Sequence, residues 1–557
     1  MTNKVSPLSR IFKLLRAEGK EISSVYFFAI MNGLILLAIP VGIQALVGFA
    51  LTNQVSASII ILIILIVLSV LASGIMQVKQ MQIIEKIQQK IYVRYSFEIS
   101  KRIPAMKLSA VDNYYLPELT NRFFDVVTLQ KSLAKLMLDF PLAIIQILFG
   151  LILLAFYHPV FIAFGLVLSM TIIGILYFSG TKGLEKSIEE SNYKYKTAAW
   201  LQEMARAIWS VKFIRSSYFL LHKTDEHVTA YLNARTEHFR ILQIQFKALV
   251  VFKTIITSAM LIVGTLLLLN QQLNVGQFIA AEIVILTIIS SVEKLIVRLD
   301  NVYDVLTSVE KLEQVIEKET ETDGNIELPE VTTGLSIKAQ NLSFNYPTTS
   351  ATILQDVSFE VEPGEKICIS GPEGSGKSTL LRLLAGCYDE FSGSILLNDV
   401  PLNNYNRFSL RKKMGVVLNG QDIIEASLFD NLTLGQEGVS LEEVRSLCNI
   451  TGLTSYIQTL KQGFDTQLSS TGRKLPEHAA KKIVLVRALL NQPRLLLLEE
   501  PWAGLEKVYQ DRIKEYLLTQ EKQVSMIVVT SDESFINKCD KSVLISKTGT
   551  ASVQKNK

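Results

Sequence analysis

Six long apolar runs constrain the fold of this chain more than any other feature of its sequence. Each run is close to the roughly 20 residues that a helix needs to cross the hydrocarbon core of a bilayer. The runs cover residues 25–51, 58–78, 137–157, 160–178, 249–269 and 278–297. They raise the mean hydropathy of the 557 residues to +0.31. The sequence therefore predicts about six membrane-spanning helices before residue 300.

The connections between the runs predict the side of the membrane that each one faces. Residues 53–57, 158–159 and 270–277 are short and carry no Lys or Arg, whereas residues 79–136 and 179–248 are long and basic. Basic connections tend to remain in the cytoplasm. The long connections and both chain ends are therefore expected on the cytoplasmic side of a cell membrane (inner or plasma).

The long connections also carry apolar residues at helical spacing. We therefore expect the spanning helices to continue into the cytoplasm and to turn near residues 112–120 and 207–213. Ahead of the first run, residues 8–16 alternate apolar and basic side chains at the same spacing. This pattern is typical of an amphipathic helix on the inner membrane surface, and equally of a cytoplasmic extension of the first span.

The membrane half carries a few helix-bending and charged residues. Pro40 and Gly42 interrupt the first run and are expected to bend it. Glu282 and Glu293 lie nearly on one face of the last span, which is therefore expected to line the bundle interior or a wet cavity. Glu282 is either a substrate contact or a hydrogen-bonded residue near the outer interface, and Lys253 is expected to snorkel.

Charge and cysteine content exclude several classes of function. The chain has 56 Lys and Arg against 52 Asp and Glu, a formal net charge of +4. It shows neither a basic stripe nor a recognised nucleic-acid motif, so no nucleic-acid partner is expected. Its four cysteines form no CxxC pair, so neither a zinc nor a redox motif is indicated. Unpaired cysteines fit a reducing cytosol.

The hydrophobic pattern changes after residue 318. Residues 319–325 are polar and acidic, as in a linker, and beyond them short β-rich runs alternate with helices. The predicted organisation is a transmembrane domain at 1–318, a linker at 319–336 and an α/β domain at 337–557.

The most specific motif lies between a buried strand at 366–370 and a helix near residue 380. Its spacing matches a phosphate-binding loop, formed by Gly371, Gly374, Ser375, Gly376, Lys377, Ser378 and Thr379. Glycines let backbone N–H groups surround phosphate oxygens at a helix N-terminus. Lys377 is expected to reach the β- and γ-phosphates of ATP, and Ser378 to ligate Mg²⁺. The predicted fold class is a membrane all-α six-helix bundle followed by an α/β P-loop NTPase domain.

A second candidate site is formed by Glu499 and Glu500, which directly follow a run of four leucines at 495–498. Alone, this run is better explained by an ordinary core strand. Phosphoryl-transfer ATPases, however, need an acid here to hold Mg²⁺ and a second group to position the attacking water. After a phosphate-binding loop, Glu499 is predicted as a metal ligand and Glu500 as the catalytic base.

Residues 337–550 resemble the nucleotide-binding domain of ABC transporters. The sequence Phe344-Asn-Tyr346-Pro is similar to the family's adenine-stacking loop, which implies that role for Tyr346, and three further landmarks follow in order at 463–466, 486–490 and 492–498. With its helical bundle, the whole chain resembles an exporter half-transporter, the layout shared by type I secretion and by bacterial peptide or lipid exporters. About twenty residues precede the first span, so no peptidase domain is expected there.

The sequence departs from the family in the signature loop, which is usually Leu-Ser-Gly-Gly-Gln. The aligned residues are 475–479, with Pro476 and Glu477 in place of the first Ser and Gly. In a working dimer of the family this loop caps the γ-phosphate held by the opposite subunit. Pro476 has no N–H and Glu477 brings a negative charge towards an anion, although both suit the first turn of a helix. We expect the helix to persist without its ligand chemistry.

Other departures lie around the catalytic acids. Ser531 stands where the family has a histidine, and Asn419 aligns with a glutamine that links Mg²⁺ to the membrane domain, with Gln421 as an alternative. Glu499 replaces the usual Asp, and residues 503–506 also differ. Together these changes imply weak turnover with ATP binding retained.

The resemblance implies an ATP-binding half-transporter that couples ATP binding and hydrolysis to export of an unknown substrate across the cell membrane. The departures imply an alternative, a hydrolytically impaired subunit that completes or regulates a heterodimeric exporter. The expected partners are a second half-transporter, identical or related, the lipid bilayer and the exported substrate, with a periplasmic adaptor left open. A soluble ATPase is the third hypothesis, and the spanning runs argue against it.

Overall fold

The computed structural model describes residues 16, 18–51, 57–112, 116–347, 349, 351–469, 475–519 and 523–556. As far as they are described, Met1–Pro104 and Tyr114–Lys318 form one compact unit, and Ala105–Asn113 and Glu319–Lys557 form the other. We call them the transmembrane unit and the α/β unit. Nearly all of the predicted amphipathic segment at 8–16 lies outside the described residues.

The described residues of the transmembrane unit are helical, apart from short connections. The helices are α1 (Gly19–Leu36), α2 (Ala38–Leu51), α3 (Ala57–Ala105), α4 (Leu108–Val111), α5 (Leu116–Thr120), α6 (Asp125–Tyr157), α7 (Phe161–Arg206), α8 (Ile208–Lys212), α9 (Ser217–Leu269), α10 (Val275–Val297) and α11 (Leu299–Ile316), of which α4 belongs to the α/β unit. Six stretches of the described chain are long and apolar enough to cross a membrane. The predicted all-α membrane bundle is confirmed.

The first span breaks where its sequence predicts a bend. Helix α1 ends at Leu36 and α2 begins at Ala38. Proline has no N–H to donate to the carbonyl four residues earlier, so Pro40 leaves the carbonyl of Leu36 without its helical partner. This loss accounts for the interruption at Leu37.

Three helices extend well beyond the thickness of a membrane. Helices α3, α7 and α9 contain 49, 46 and 53 residues. At 1.5 Å per residue each is roughly 70–80 Å long, against about 30 Å for the hydrocarbon core. The expected turn at 207–213 contains the short helix α8. The other expected turn, at 112–120, follows α4 and includes α5. These results agree with helices that continue beyond the bilayer.

Two pairs of charged side chains in the transmembrane unit form ion pairs near the predicted spans. Lys253, which was expected to snorkel, donates from Nζ to Oε2 of Glu293 at 2.7 Å, and Nε of Arg298 donates to Oδ2 of Asp139 at 2.7 Å. In Glu282, Oε2 is buried and has no hydrogen-bond partner among the described residues. Its role as a substrate contact stays a prediction.

The α/β unit contains two main sheets. Its strands are β1 (Ile337–Phe344), β2 (Leu354–Val361), β3 (Lys366–Ser370), β4 (Ser392–Leu397), β5 (Val400–Pro401), β6 (Met414–Val417), β7 (Ala426–Ser427), β8 (Gln467–Leu468), β9 (Leu495–Glu499), β10 (Ser525–Val529), β11 (Lys541–Ile545) and β12 (Ala551–Lys555). The larger sheet has the order β12-β11-β3-β10-β9-β6 and is parallel except for β12. The second sheet, β2-β1-β4-β5, is antiparallel, and β7 pairs with β8.

Helices cover both faces of the larger sheet. They are α12 (Lys377–Leu384), α13 (Arg407–Lys412), α14 (Leu428–Thr433), α15 (Leu441–Thr451), α16 (Leu453–Thr459), α17 (Glu477–Leu489), α18 (Lys507–Thr519) and α19 (Glu533–Ile536). Side chains alternate across a strand, so Ile367 and Ile369 of β3 pack with α12 and the second sheet, whereas Cys368 packs with α15, α17 and α18. This arrangement places the end of β3 next to the start of α12.

Residues 319–326, which the sequence predicts as part of a linker, pack within the α/β unit. Backbone N–H groups of Gly324 and Ile326 donate to the carbonyls of Tyr405 and Asn404 at 3.1 and 3.0 Å. The N–H of Lys107 donates to the carbonyl of Glu319 at 2.9 Å. The segment at 105–112 and the start of the linker are thus held by ordered backbone contacts.

Candidate functional site

The phosphate-binding loop joins the central strand β3 to α12. Gly371 and Gly376 have φ angles of +147° and +93°, which lie in the region that favours glycine. A Cβ atom at Gly371 would lie 2.2 Å from the carbonyl oxygen of Ile545, and one at Gly376 would lie 2.8 Å from the side chain of Leu354. Both positions therefore require glycine, because the backbone conformation disfavours other residues and there is no room for a Cβ atom.

Polar groups of the loop are arranged for an anion. Nζ of Lys377 donates to the carbonyls of Gly371 and Pro372 at 2.8 and 2.7 Å, so its ammonium group lies over the loop. Ser375 is only 1% exposed, and its Oγ has no hydrogen-bond partner among the described residues. An unsatisfied buried hydroxyl costs about 1–3 kcal/mol. A phosphate oxygen in the loop would satisfy it.

The three predicted metal-binding residues come together although they are far apart in sequence. Oγ of Ser378 donates to Oε1 of Glu499, and the backbone N–H of Asn419 donates to Oε2 of the same carboxylate at 2.8 Å. Only the backbone of Asn419 makes this contact. Gln421 accepts through Oε1 from the N–H of Leu418 at 3.2 Å, so its side chain caps its own loop.

The oxygen atoms of Ser378 and Glu499 fit Mg²⁺, which is usually held by one or two protein oxygen ligands together with phosphates and water. Within the described part of the chain, no group of three or more His, Cys, Asp or Glu side chains could hold a metal ion. Mg²⁺ held by Ser378 and Glu499 would take its other ligands from phosphate oxygens and water. The metal-binding roles stay predictions.

Glu500 directly follows β9 and is partly buried, and its role as the catalytic base stays a prediction. Its backbone is left-handed, with a φ of +42°, a conformation that is strained for a residue with a side chain. Its N–H donates to the carbonyl of Val529 at 2.9 Å, which holds that conformation. Burial raises the pKa of Glu500, while hydrogen bonds from the Ser531 backbone and the Thr530 hydroxyl oppose the rise. A carboxylate with a raised pKa is a better proton acceptor near neutral pH.

Tyr346 lies against α12. Its hydroxyl shares a hydrogen bond with Oγ1 of Thr379 at 3.0 Å and accepts one from Nη1 of Arg382 at 3.3 Å. Its ring packs edge-on against Phe344 and Tyr388, with centroids 5.1 and 5.6 Å away. The adenine-stacking role of Tyr346 stays a prediction.

Two residues around Tyr346 were missed by sequence reasoning. Arg382 could have been found from helical spacing, because it follows Thr379 by three residues and therefore shares its face of α12. Tyr388 lies beyond the end of that helix, and no local pattern marks it. Thr530, the neighbour of Glu500, is likewise identified only by the pairing of β9 with β10.

The altered signature segment starts a helix, as predicted. Helix α17 begins at Glu477 with Pro476 as its N-cap. The side chain of Glu477 is 85% exposed and lies 3.2 Å from Nζ of Lys481. Helix α17 is therefore retained. The resemblance implies that the position of Glu477 contacts the γ-phosphate of ATP, and here that position carries a carboxylate.

Together, a bundle of spanning helices and a P-loop site on an α/β domain define an ATP-binding membrane protein. Residues 23–292 match the model of the ABC transporter transmembrane region, and residues 354–503 match that of the ABC transporter domain. The chain belongs to the ABC transporters and has the half-transporter architecture. It is a multi-pass membrane protein, and its ABC domain binds ATP.

Solved structures and curated relatives agree with this assignment. The fold is similar to that of a bacterial Atm1-family ABC exporter with ATP bound, with a TM-score of 0.83, 18% identity and coverage of 97% of this chain and 95% of the other. ABC exporters of this fold act as dimers in a bilayer. The predicted α/β P-loop domain is confirmed as part of this fold.

The curated relatives include proteins named for the translocation or export of other molecules. The RTX-I toxin translocation ATP-binding protein of Actinobacillus pleuropneumoniae is 25% identical over 350 residues, which are 63% of this chain and 49% of the relative. The alpha-hemolysin translocation protein HlyB of Escherichia coli is 26% identical with the same coverage. The β-(1→2)glucan export protein NdvA of Rhizobium johnstonii is 29% identical over 297 residues, 52% and 49% of the two chains. The chain spans about half the length of the curated relatives it matches.

Proposed function

We propose that this chain is the ATP-binding half-transporter of an ABC exporter, which couples ATP binding and hydrolysis to the export of a substrate across the cell membrane. The observation that carries the proposal is the convergence of Lys377, Ser378 and Glu499 at the end of β3, in a chain with six apolar spans. The named relatives support export as the direction of transport. The nucleotide site and both chain ends lie in the cytoplasm under this proposal, because the long connections are basic.

Each residue of the site has a role in this function. Backbone N–H groups of the loop and the Lys377 ammonium bind the phosphates, and Tyr346 stacks on adenine. Ser378 and Glu499, with Asn419 beside them, would hold Mg²⁺, which neutralises charge on the phosphate oxygens when bound. Glu500 accepts a proton from the attacking water.

A substitution in the loop tests the binding step. Lys377→Ala removes the cation that approaches the β- and γ-phosphates, so ATP affinity should fall at least about tenfold, the equivalent of roughly 1.4 kcal/mol. The measurement is ATP binding to full-length protein in lipid nanodiscs, with Lys412→Ala as the matched control on an exposed lysine. Equal affinity in the Lys377→Ala variant and the wild type would refute the assigned site.

A second candidate function is a hydrolytically impaired subunit that completes or regulates a heterodimer. It is favoured by the exposed Glu477 carboxylate and by Ser531 in place of histidine. It is also favoured by the side chain of Gln421, which is hydrogen-bonded to its own loop. Under this alternative the purified chain binds ATP but turns over far more slowly than the roughly 10 per second typical of enzymes. Turnover at tens per second would exclude it.

Restoring the family residues separates the two candidates further. The change of Pro476→Ser with Glu477→Gly returns a hydroxyl and removes a negative charge. If this chain acts on a second copy of itself, its turnover should rise. If its partner is a different chain, turnover of the purified chain should not change. Lys481→Ala, which leaves Glu477 without its ion-pair partner, is the control on the same helix.

A further inference from the structure

Two buried thiols lie next to each other in the core of the α/β unit. Sγ of Cys368 is 2.7 Å from Sγ of Cys539, and both residues are 0% exposed. A disulfide bond requires about 2.0 Å, so the two sulfurs need to approach by less than 1 Å. The folded backbone already holds them together, although they are 171 residues apart in sequence.

The two cysteines differ in how firmly they are held. Cys368 is in β3, which pairs with β10 on one side and β11 on the other. Cys539 is in the turn between α19 and β11, where its N–H donates to the carbonyl of Ile536 at 3.1 Å. Its neighbours Asn537 and Lys538 are exposed. Local opening begins at such turns rather than at central strands, so Cys539 is the thiol that solvent reaches first.

From these contacts we propose that Cys368 and Cys539 form a redox modification site. Peroxide converts their two thiols into a disulfide in the folded protein. Opening of the turn exposes Cys539, whose sulfur attacks a peroxide oxygen. Hydrogen peroxide then leaves a sulfenic acid on Cys539 and one water. When the turn closes, the Cys368 sulfur attacks the Cys539 sulfur, the S–O bond breaks and the thiol proton leaves with the hydroxide as a second water. Two thiols and one peroxide thus give one disulfide and two waters.

The surroundings of the pair explain why oxidation needs the turn to open. Contact with Cys539 and burial together raise the pKa of Cys368 far above its ordinary value. The thiolate is the reactive form of cysteine, so Cys368 stays a neutral thiol while the pair is closed. Oxidation of Cys539 removes the thiol contact that is the largest cause of the raised pKa of Cys368. Cys368, the nearest thiol, then resolves the sulfenic acid.

The experiment treats full-length protein in nanodiscs with hydrogen peroxide, blocks remaining thiols and maps the unreduced peptides by mass spectrometry. The expected result is a Cys368–Cys539 linked peptide pair, lighter by two hydrogen atoms and reversed by dithiothreitol. Cys448 is the internal control, because it is equally buried at 1% exposure and has no sulfur contact among the described residues. Lys412→Cys provides an exposed thiol that verifies the peroxide dose. If the exposed cysteine is oxidised and no Cys368–Cys539 link forms, or if links to Cys448 form as often, the proposal is overturned.

Single variants test the order of the steps. In Cys368→Ala the sulfenic acid at Cys539 has no resolving thiol, so a dimedone probe should label Cys539. In Cys539→Ala the remaining Cys368 should stay unlabelled. Labelling of Cys368 at the rate of Cys539 would overturn the assignment of Cys539 as the first thiol to react. Bound ATP analogue in each variant verifies that the domain is folded.

Discussion

Arg407 joins the linker to the helix that follows the phosphate-binding loop. Its side chain is 10% exposed and forms an ion pair with Asp389, which is 15% exposed. Nη1 donates to the carbonyl of Gly386, just beyond α12, at 2.5 Å, and Nε donates to the carbonyl of Thr322 at 3.2 Å. One side chain therefore satisfies a largely buried carboxylate and two backbone carbonyls.

We expect Arg407→Met to destabilise the α/β unit strongly. Removal of one partner of a buried ion pair leaves an uncompensated charge and typically costs about 3–5 kcal/mol. Arg411→Met is the matched control on the same helix. Arg411 binds Glu321 through two hydrogen bonds of 2.8 and 2.7 Å, but its side chain is 44% exposed, and exposed pairs contribute about 0–1 kcal/mol. Arg407 differs from Arg411 in its deeper burial and in its hydrogen bonds to two backbone carbonyls.

Trp502 provides the assay, because it is buried in the α/β unit and the other two tryptophans, Trp200 and Trp209, belong to the transmembrane unit. With those two replaced by Phe, fluorescence follows unfolding of the α/β unit alone. The midpoint should fall by roughly 10 °C in Arg407→Met and by a few degrees at most in Arg411→Met.

A double substitution separates the loss of the ion pair from the exposure of one unpaired charge. Asp389→Leu together with Arg407→Met removes both charges, so much of the lost stability should return. Equal midpoints for the Arg407→Met and Arg411→Met variants would refute the assigned burial and the energetic role of the pair.

Two further predictions concern the nucleotide site and its surroundings. Burial raises the pKa of Glu500, and a base must be ionised to act, so ATP turnover should fall as pH decreases through that raised pKa. Thr530→Val removes a hydroxyl that stabilises the carboxylate, so the acid limb of the pH–rate profile should move to higher pH. An acid limb at the pKa of an ordinary Glu would contradict this role. The hydroxyl of Tyr388 donates to Asp112 at 3.1 Å. Tyr388→Phe should therefore accelerate hydrogen exchange in residues 105–112 by about 2- to 10-fold, the equivalent of about 0.5–1.5 kcal/mol. In Tyr405→Phe, which loses a hydrogen bond to the carbonyl of Leu397, exchange in that segment should not change. Equal effects of the two Tyr variants would argue against the Asp112 contact.

The sequence alone predicts those parts of the protein that depend on contiguous residues. A run of about 20 apolar residues can satisfy its backbone in a bilayer only as a helix, which is why the six spans could be identified. The phosphate-binding loop is predicted from nine consecutive residues, because Gly371 and Gly376 specify the backbone by themselves. The helix start at Pro476 and the interruption caused by Pro40 likewise depend on local residues.

Contacts between distant residues are decided by the tertiary structure. Ser378 meets Glu499 because the strand order places β10 between β3 and β9 and their carboxyl ends lie at one edge of the sheet. The pairing of Cys368 with Cys539 depends on the packing of a turn against β3, and no spacing in the sequence indicates it. The side chain of Gln421, an alternative to Asn419 in the sequence, is directed to its own loop by a local hydrogen bond. Local motifs thus determined the class of site, whereas strand order and packing decided which residues complete it.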